Sequence, residues 1–93
     1  MNPGEQDSSL TNATERARLV KNAHLAELMA KANVVGVGIG YRLRGDAKTD
    51  QVGLVVMVRK KVPRHQLAAR DVIPAEIDGV PIDVQEVGEL RAQ

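Results

Sequence analysis

The segment from Val34 to Arg44 has the most regular pattern of hydrophobic and polar positions in this chain of 93 residues. Its odd positions are large and apolar: Val35, Val37, Ile39, Tyr41 and Leu43. The even positions between and after them are Gly36, Gly38, Gly40, Arg42 and Arg44. This alternation predicts a β-strand with one apolar face and one nearly bare face. Because glycine weakens a strand, its repetition on one face indicates that a neighbour approaches the backbone closely there.

A long helix is predicted before this strand. Residues 12–32 contain no proline or glycine and are rich in helix-forming residues. Asn12 and Glu15 have capping-box spacing, which places the helix start near Asn12 and its end at Asn33, while the polar residues 1–10 are expected to form a disordered tail. An apolar stripe at helical spacing is expected to face the sheet: Leu25, Leu28, Met29 and Ala32. The first half of the helix is expected either to fray or to turn its apolar residues toward something else, such as a partner chain. These apolar residues are Ala17, Leu19, Val20 and Ala23.

The residues after the glycine-containing strand predict a hairpin, a short helix and a last strand. Residues 45–50 have loop composition, and residues 52–62 form a second strand that is apolar on both faces and therefore central or covered on both sides. A short helix is expected over residues 64–70, after Pro63. Asp78-Gly79 predicts a tight two-residue turn that leads into a strand from Val80 to Val84. Pro81 cannot donate to a ladder, which places the start of that strand at a sheet edge.

The element order α-β-β-α-β predicts one α+β domain over residues 11–90. In it, a long N-terminal helix packs on a small, mostly antiparallel sheet of three to four strands. This fold offers a mechanical explanation for the bare strand face, because a helix packs more closely on glycines than on valines. Gly36, Gly38 and Gly40 are therefore a candidate packing surface, or a groove, either for the chain's own helix or for another molecule.

Composition argues against several function classes. The net charge is +1, and Tyr41 is the only aromatic residue, so strong nucleic-acid binding and base stacking are not expected. The chain has no cysteine, which leaves no disulfide, thiolate metal site or thiol nucleophile. The polar N-terminus lacks the features of a secretory signal, and no apolar run approaches membrane-spanning length. A cytoplasmic protein without membrane contact is expected.

The residue types that carry catalysis, metals or cofactors do not occur in the required arrangements. The glycines of the first strand lie inside the strand, whereas a phosphate-binding loop needs them in the turn that opens a helix. His24 and His65 are the only histidines, and neither has neighbours that complete a metal site. No serine or threonine is placed beside a base. The chain is therefore predicted not to be an enzyme and to use no cofactor, metal or catalytic residue.

One basic cluster stands out: Arg59, Lys60, Lys61, Arg64 and His65. Such a cluster is suited to contact phosphates or an acidic partner. The alternative is a solubilising patch that protects a sheet end from pairing with other molecules. Acidic residues follow closely in the sequence and are expected to neutralise part of the charge.

Three stretches form a more specific pattern: residues 33–41, the strand 53–58 followed by Lys60-Lys61-Val62-Pro63, and residues 73–84 with Val87-Gly88 after them. The most distinctive run is Ile77-Asp78-Gly79-Val80-Pro81-Ile82-Asp83-Val84. Over residues 33–88 this pattern resembles the N-terminal accessory segment found ahead of the catalytic domain in bacterial trypsin-like serine peptidases. The chain ends where that catalytic domain would begin. The resemblance therefore implies an accessory module and carries over no catalytic serine, histidine or aspartate.

Three functional hypotheses remain open. The first is a non-catalytic protein-interaction module that forms homo-oligomers through the first helix or an exposed sheet edge. The second is a propeptide-like or inhibitor-like accessory domain whose partner is a serine peptidase domain. The third is weak nucleic-acid binding through the basic cluster, with salt-sensitive affinity.

Overall fold

The structure is a computed structural model that describes the backbone of residues 3–44 and 47–88, and their side chains from Asn12 onward except residues 43, 44 and 48. Its helix and strands, in chain order, are α1 (Pro3–Met29), β1 (Val34–Arg44), β2 (Ala47–Val58), β3 (Glu76–Ile77) and β4 (Val80–Glu86). The predicted α+β class is confirmed. Two 3₁₀ turns, Arg64–Gln66 and Ala69–Asp71, replace the single short helix that was predicted over residues 64–70.

The strands form one sheet of order β1-β2-β4-β3. β1 pairs with β2, and β3 with β4, in antiparallel fashion, whereas β2 and β4 are parallel. The sheet is thus mostly antiparallel, as predicted, and β2 is a central strand. β2 begins at Ala47 and ends at Val58, earlier at both ends than predicted. The tip of the predicted loop, residues 45 and 46, lies outside the described residues.

The bounds of α1 differ from those predicted. The helix begins at Pro3 rather than near Asn12, so residues 3–10, assigned to a disordered tail from the sequence, form its first turns. Proline fits the first helical position, where its missing N–H leaves no hydrogen bond unmade. The helix ends at Met29, and Asn33 then adopts a left-handed conformation with φ of 71° before β1 begins. Asparagine is among the few non-glycine residues that tolerate this conformation.

The buried face of α1 is not the predicted stripe. Ala17, Val20 and Leu28 are buried in the core, whereas Leu25 is 37% exposed and Met29 is 42% exposed. Ala17 and Val20 therefore face the chain's own sheet, and the expectation that they face something else is wrong. The buried positions have the spacing i, i+3 and i+11, and the half-buried His24 stands at i+7 between them. The polar His24 therefore interrupts the apolar pattern of the buried face in the sequence.

The glycines of β1 lie on the sheet face opposite to α1. On the helix side, Val37 is paired with Val56 and Ile39 with Leu54, and these residues belong to the core. Cross-strand partners share a face, so the even positions of β1 point away from the helix. The expectation that α1 packs on the glycines is therefore wrong. A helix needs large apolar side chains to bury, and only the odd positions of β1 supply them.

The close neighbours of these glycines are side chains of β2. A Cβ on Gly36 would lie 2.8 Å from Cε of Met57, and a Cβ on Gly40 would lie 3.1 Å from Cγ2 of Val55. Both β2 side chains are half-buried on the face away from α1. The side chains of Met57 and Val55 thus pack over Gly36 and Gly40 on the bare face of β1.

The turn before β4 has the predicted conformation. Asp78 and Gly79 have φ of 50° and 80°, as a type I′ turn requires at its two central positions. Pro81 is not at a sheet edge, because β4 lies between β2 and β3. It is tolerated because the pairing of β4 with β2 begins one residue later, at Ile82, which faces Leu54. β4 approaches β2 closely here, since a Cβ on Gly53 would lie 2.5 Å from the carbonyl oxygen of Pro81.

Candidate functional site

The basic cluster predicted from the sequence borders a pocket at the end of β2. The chain leaves β2 after Val58 and folds back through the two 3₁₀ turns, and the pocket lies between this segment and the end of α1. Lys60, Lys61 and Arg64 line the pocket. Arg59 and His65 are not among its lining residues, so the structure divides the cluster into three rim residues and two outside it.

The floor of the pocket is apolar and its volume is about 240 Å³. One buried and five half-buried side chains form this floor: Val58, Val62, Leu67, Val72, Ile73 and Val84. We name this cavity, with its three cationic rim residues, the basic-rimmed pocket. An apolar concavity with a few charged groups at its margin is the usual form of a small-ligand site.

The charges at the rim are unbalanced. The cationic side chains of Lys60, Lys61 and Arg64 have no carboxylate within 4.0 Å in the part of the chain that the structure describes. Asp71 is the acidic lining residue, and its Oδ1 accepts a hydrogen bond of 2.9 Å from the backbone N–H of Ala32. Three cations therefore surround the pocket, while its one carboxylate is engaged by the backbone after α1.

Hydrogen bonds hold the pocket wall in place from two sides. On the α1 side, Nζ of Lys31 donates to the carbonyl of Arg70 at 2.7 Å, next to the contact between Ala32 and Asp71. On the β4 side, the backbone N–H of Lys61 donates to Oε1 of Glu86 at 2.7 Å. The segment that carries the cations is thus anchored to both neighbouring elements, and the pocket is preformed.

A second candidate surface is the free edge of β1. β1 ends the sheet on one side, and its pairing with β2 shifts register at two places, around Val35 and around Arg42. Between these irregularities, residues 36–41 pair regularly with β2 and carry no charged side chain. Among the described residues no strand pairs with the outer side of β1, and a long, uncharged edge strand is a template for pairing with another chain.

Two exposed hydrophobic side chains of α1, Leu25 and Met29, bear on this edge. Arg16 donates to the carbonyl of Asp78 at 2.8 Å, and Nε2 of His24 lies 3.8 Å from a carboxylate oxygen of the same residue, so this flank of α1 faces the β3–β4 turn. From helical geometry we infer that Leu25 and Met29 lie on the opposite flank, on the side of β1. We name residues 36–41 together with Leu25 and Met29 the β1 flank.

The three glycines themselves do not form a deep groove. Met57 and Val55 already fill the space over Gly36 and Gly40, whereas no described atom lies within 4 Å of a Cβ placed on Gly38. The bare face is open at Gly38 alone among the three.

The histidines lie apart from both surfaces. Nδ1 of His24 is 3.2 Å from Oε2 of Glu27, which is on the same helix, and His65 is exposed outside the pocket. Among the side chains that the structure describes, no group of three or more histidines and carboxylates is suited to hold a metal ion. The predictions of no catalysis and of weak nucleic-acid binding stay predictions.

No helix within the described ranges combines the length and apolar character needed to cross a membrane.

Sequence reasoning located three of the pocket residues through their charge but missed the apolar floor. The floor comes from segments as distant as Val58 and Val84, and no local pattern links them.

A scan against protein-family models and a search of curated proteins found no match to this chain.

Proposed function

We propose that this chain is a non-catalytic interaction module that self-associates by pairing the β1 strands of two copies. The observation that carries the proposal is the β1 flank: an uncharged edge at residues 36–41 with exposed Leu25 and Met29 above it. Natural edge strands are normally shortened, charged or covered. Here the charged residues Arg42 and Arg44 come only at the end of β1.

A two-fold axis perpendicular to the sheet gives this interface a consistent geometry. Antiparallel pairing of two β1 strands would join two sheets into one, with both α1 helices on the same face. α1 contacts β1, β2 and β4, and in this arrangement its exposed Leu25 and Met29 would face the same side chains of the second copy across the joined edge.

The test is the mass of the protein in solution across a wide concentration range, measured by sedimentation. The double variant Leu25→Glu/Met29→Glu is expected to shift the equilibrium to monomer, because four carboxylates would meet at the interface. Leu19→Glu is the matched control, since Leu19 is 59% exposed and lies away from the β1 flank. A wild-type protein that stays monomeric at all concentrations would refute the proposal, as would a control that dissociates as readily as the double variant.

The same edge supports the peptidase-accessory hypothesis as a second candidate. Proteins that recognise extended segments add a strand of the partner to an exposed sheet edge, and residues 36–41 offer one. In that case the isolated chain is monomeric and binds a trypsin-like peptidase domain. The Leu25→Glu/Met29→Glu variant weakens that binding while Leu19→Glu does not. The sedimentation experiment on the isolated chain therefore separates the two candidates.

A further inference from the structure

We propose that the basic-rimmed pocket binds a short aliphatic carboxylate, with the carboxylate at the rim and the hydrocarbon tail on the floor. The inference is independent of self-association through the β1 flank. It rests on the volume of the pocket, the apolar character of its floor, the unbalanced charge of its rim and the hydrogen bonds that hold its wall.

The volume sets the size of the ligand. The pocket measures about 240 Å³. A pocket of this size takes a small ligand, and hexanoate, an unbranched carboxylate with about eight non-hydrogen atoms, is chosen as the probe. Larger ligands would leave part of their tail in solvent.

The lining sets the chemistry of the ligand. Val58, Leu67 and Ile73 are among the side chains of the apolar floor, which favours a hydrocarbon tail over a fully polar anion. At the rim, the guanidinium of Arg64 is suited to bind a carboxylate through two parallel hydrogen bonds, and Lys60 and Lys61 add positive charge. Asp71 is the acidic residue of the lining, and the carboxylate of Glu86 accepts the backbone N–H of Lys61 beside the rim, so two carboxylates oppose the three cations. The rim therefore favours an anionic head group.

The wall is arranged before any ligand binds. Lys31 holds the carbonyl of Arg70, and Glu86 holds the backbone N–H of Lys61, so the segment between them is tied at both ends. A preformed site loses little affinity to reordering of the protein. For a ligand of this size, the expected dissociation constant lies in the micromolar to millimolar range.

The first experiment is a titration of the full chain, followed by the backbone amide resonances in NMR, with four separate probes: hexanoate, hexanol, hexylammonium and inorganic phosphate. Hexanoate is expected to shift resonances of the pocket residues, from Val58 to Ile73 and at Ala32. Hexanol is expected to bind more weakly, and hexylammonium and phosphate are expected not to shift these resonances at the same concentrations. Phosphate binding as strong as that of hexanoate would overturn the proposal, because it would mark a plain counterion site.

A series of carboxylates tests the floor. From acetate to hexanoate, affinity is expected to rise by up to about fourfold for each added methylene, as burial of hydrocarbon predicts. Beyond hexanoate the gain is expected to stop, because the pocket is full. An affinity that is independent of tail length would overturn the assignment of the apolar floor as the tail site.

Variants test the rim, with a control from the same cluster. Lys60→Ala/Arg64→Gln is expected to weaken hexanoate binding about three- to tenfold, which is the range for the loss of partly exposed charge contacts. Arg59→Ala removes a positive charge of the same cluster that does not line the pocket. The backbone N–H of residue 59 can still donate to the carbonyl of Asn33 in this variant. This control is expected to bind hexanoate like the wild type. The amide spectrum without ligand checks that each variant is folded. An equal loss of affinity in Arg59→Ala would overturn the proposal, as would the absence of any hexanoate shift at millimolar concentration.

Discussion

Two glycine-to-alanine substitutions in the same sheet are expected to change stability in opposite directions. Gly38 and Gly53 both lie in strands, and neither has a positive φ, so alanine fits the backbone at both. They differ in what the new methyl group meets. At Gly38 no described atom lies within 4 Å of the added Cβ, whereas at Gly53 the Cβ would lie 2.5 Å from the carbonyl oxygen of Pro81.

The expected magnitudes follow from these contacts. Glycine within a strand is less favourable than alanine by about 0.5–1 kcal/mol, chiefly because it loses more conformational freedom on folding. Gly38→Ala is expected to raise the free energy of unfolding by that amount. At Gly53 the contact is with backbone, so β4 must move away from β2 where Leu54 faces Ile82 in the core. Overpacking of this kind costs about 1–3 kcal/mol. Since the gain from replacing glycine applies at both positions, the two variants are expected to differ by about 1–3 kcal/mol, the cost of overpacking.

The remaining glycines of β1 provide the intermediate cases. At Gly36 the added Cβ would meet Cε of Met57, the flexible end of a half-buried side chain, and this methionine can move aside. At Gly40 it would meet a methyl group of the stiffer Val55 at 3.1 Å. The expected order of stability is therefore Gly38→Ala, then Gly36→Ala and Gly40→Ala, with Gly53→Ala last.

The assay is urea unfolding followed by circular dichroism, with all variants at one low protein concentration because self-association raises apparent stability. The slope is expected to be about 1–2 kcal/mol per molar urea for a chain of this size, so the two extreme variants should differ in midpoint by about 0.5 M or more. If Gly53→Ala were as stable as Gly38→Ala, the close approach of β4 to β2 would be wrong. If Gly38→Ala were the least stable, the open space over β1 would be wrong.

Two further predictions concern α1 and the turn that it contacts. Leu28→Ala is expected to lower the free energy of unfolding by about 2–5 kcal/mol because Leu28 is fully buried, whereas Leu25→Ala at a 37% exposed position should cost much less in the same urea experiment. Equal losses would contradict the buried face of α1. Gly79→Ala is expected to cost about 1 kcal/mol or more, since φ is 80° and the added Cβ would lie 3.3 Å from a guanidinium nitrogen of Arg16. Gly79→Asn should cost less, and the reverse order would contradict the left-handed turn.

The elements predicted from local patterns were found at or near their predicted places. β1 has the predicted bounds, because its alternation matches the two-residue period of a β-strand and not the 3.6-residue period of a helix. The predicted two-residue turn at Asp78 and Gly79 is also present, since few residue pairs accept two positive φ values. Both features are determined by residues that are close together in the sequence, so they can be predicted from it.

The features that required tertiary information were predicted less well. Leu25 and Met29 have helical periodicity, yet they are exposed, and Ala17 and Val20 are buried in the core. The sequence concealed this buried face because His24 stands among its positions and makes the face look polar. Periodicity identifies a helix face but does not say which of two faces meets the sheet. The basic-rimmed pocket was beyond sequence reasoning for a related reason, since its floor joins residues from separate segments.

The glycines of β1 explain why association is proposed at the edge of the sheet and not on its open face. α1 covers one face, and the other face is left to solvent or to a partner. On that face β1 contributes Gly36, Gly38 and Gly40, so its apolar surface comes from β2, where Met57 and Val55 fold down onto the glycine backbone and become half-buried. Large residues at the glycine positions would instead build a continuous apolar patch, which marks an adhesive surface. The glycines thus limit the apolar area of the open face, whereas the exposed hydrophobic side chains Leu25 and Met29 belong to α1 on the other side of the sheet. In the proposed self-association, the alternation in β1 therefore favours pairing of edge strands over stacking of the open faces.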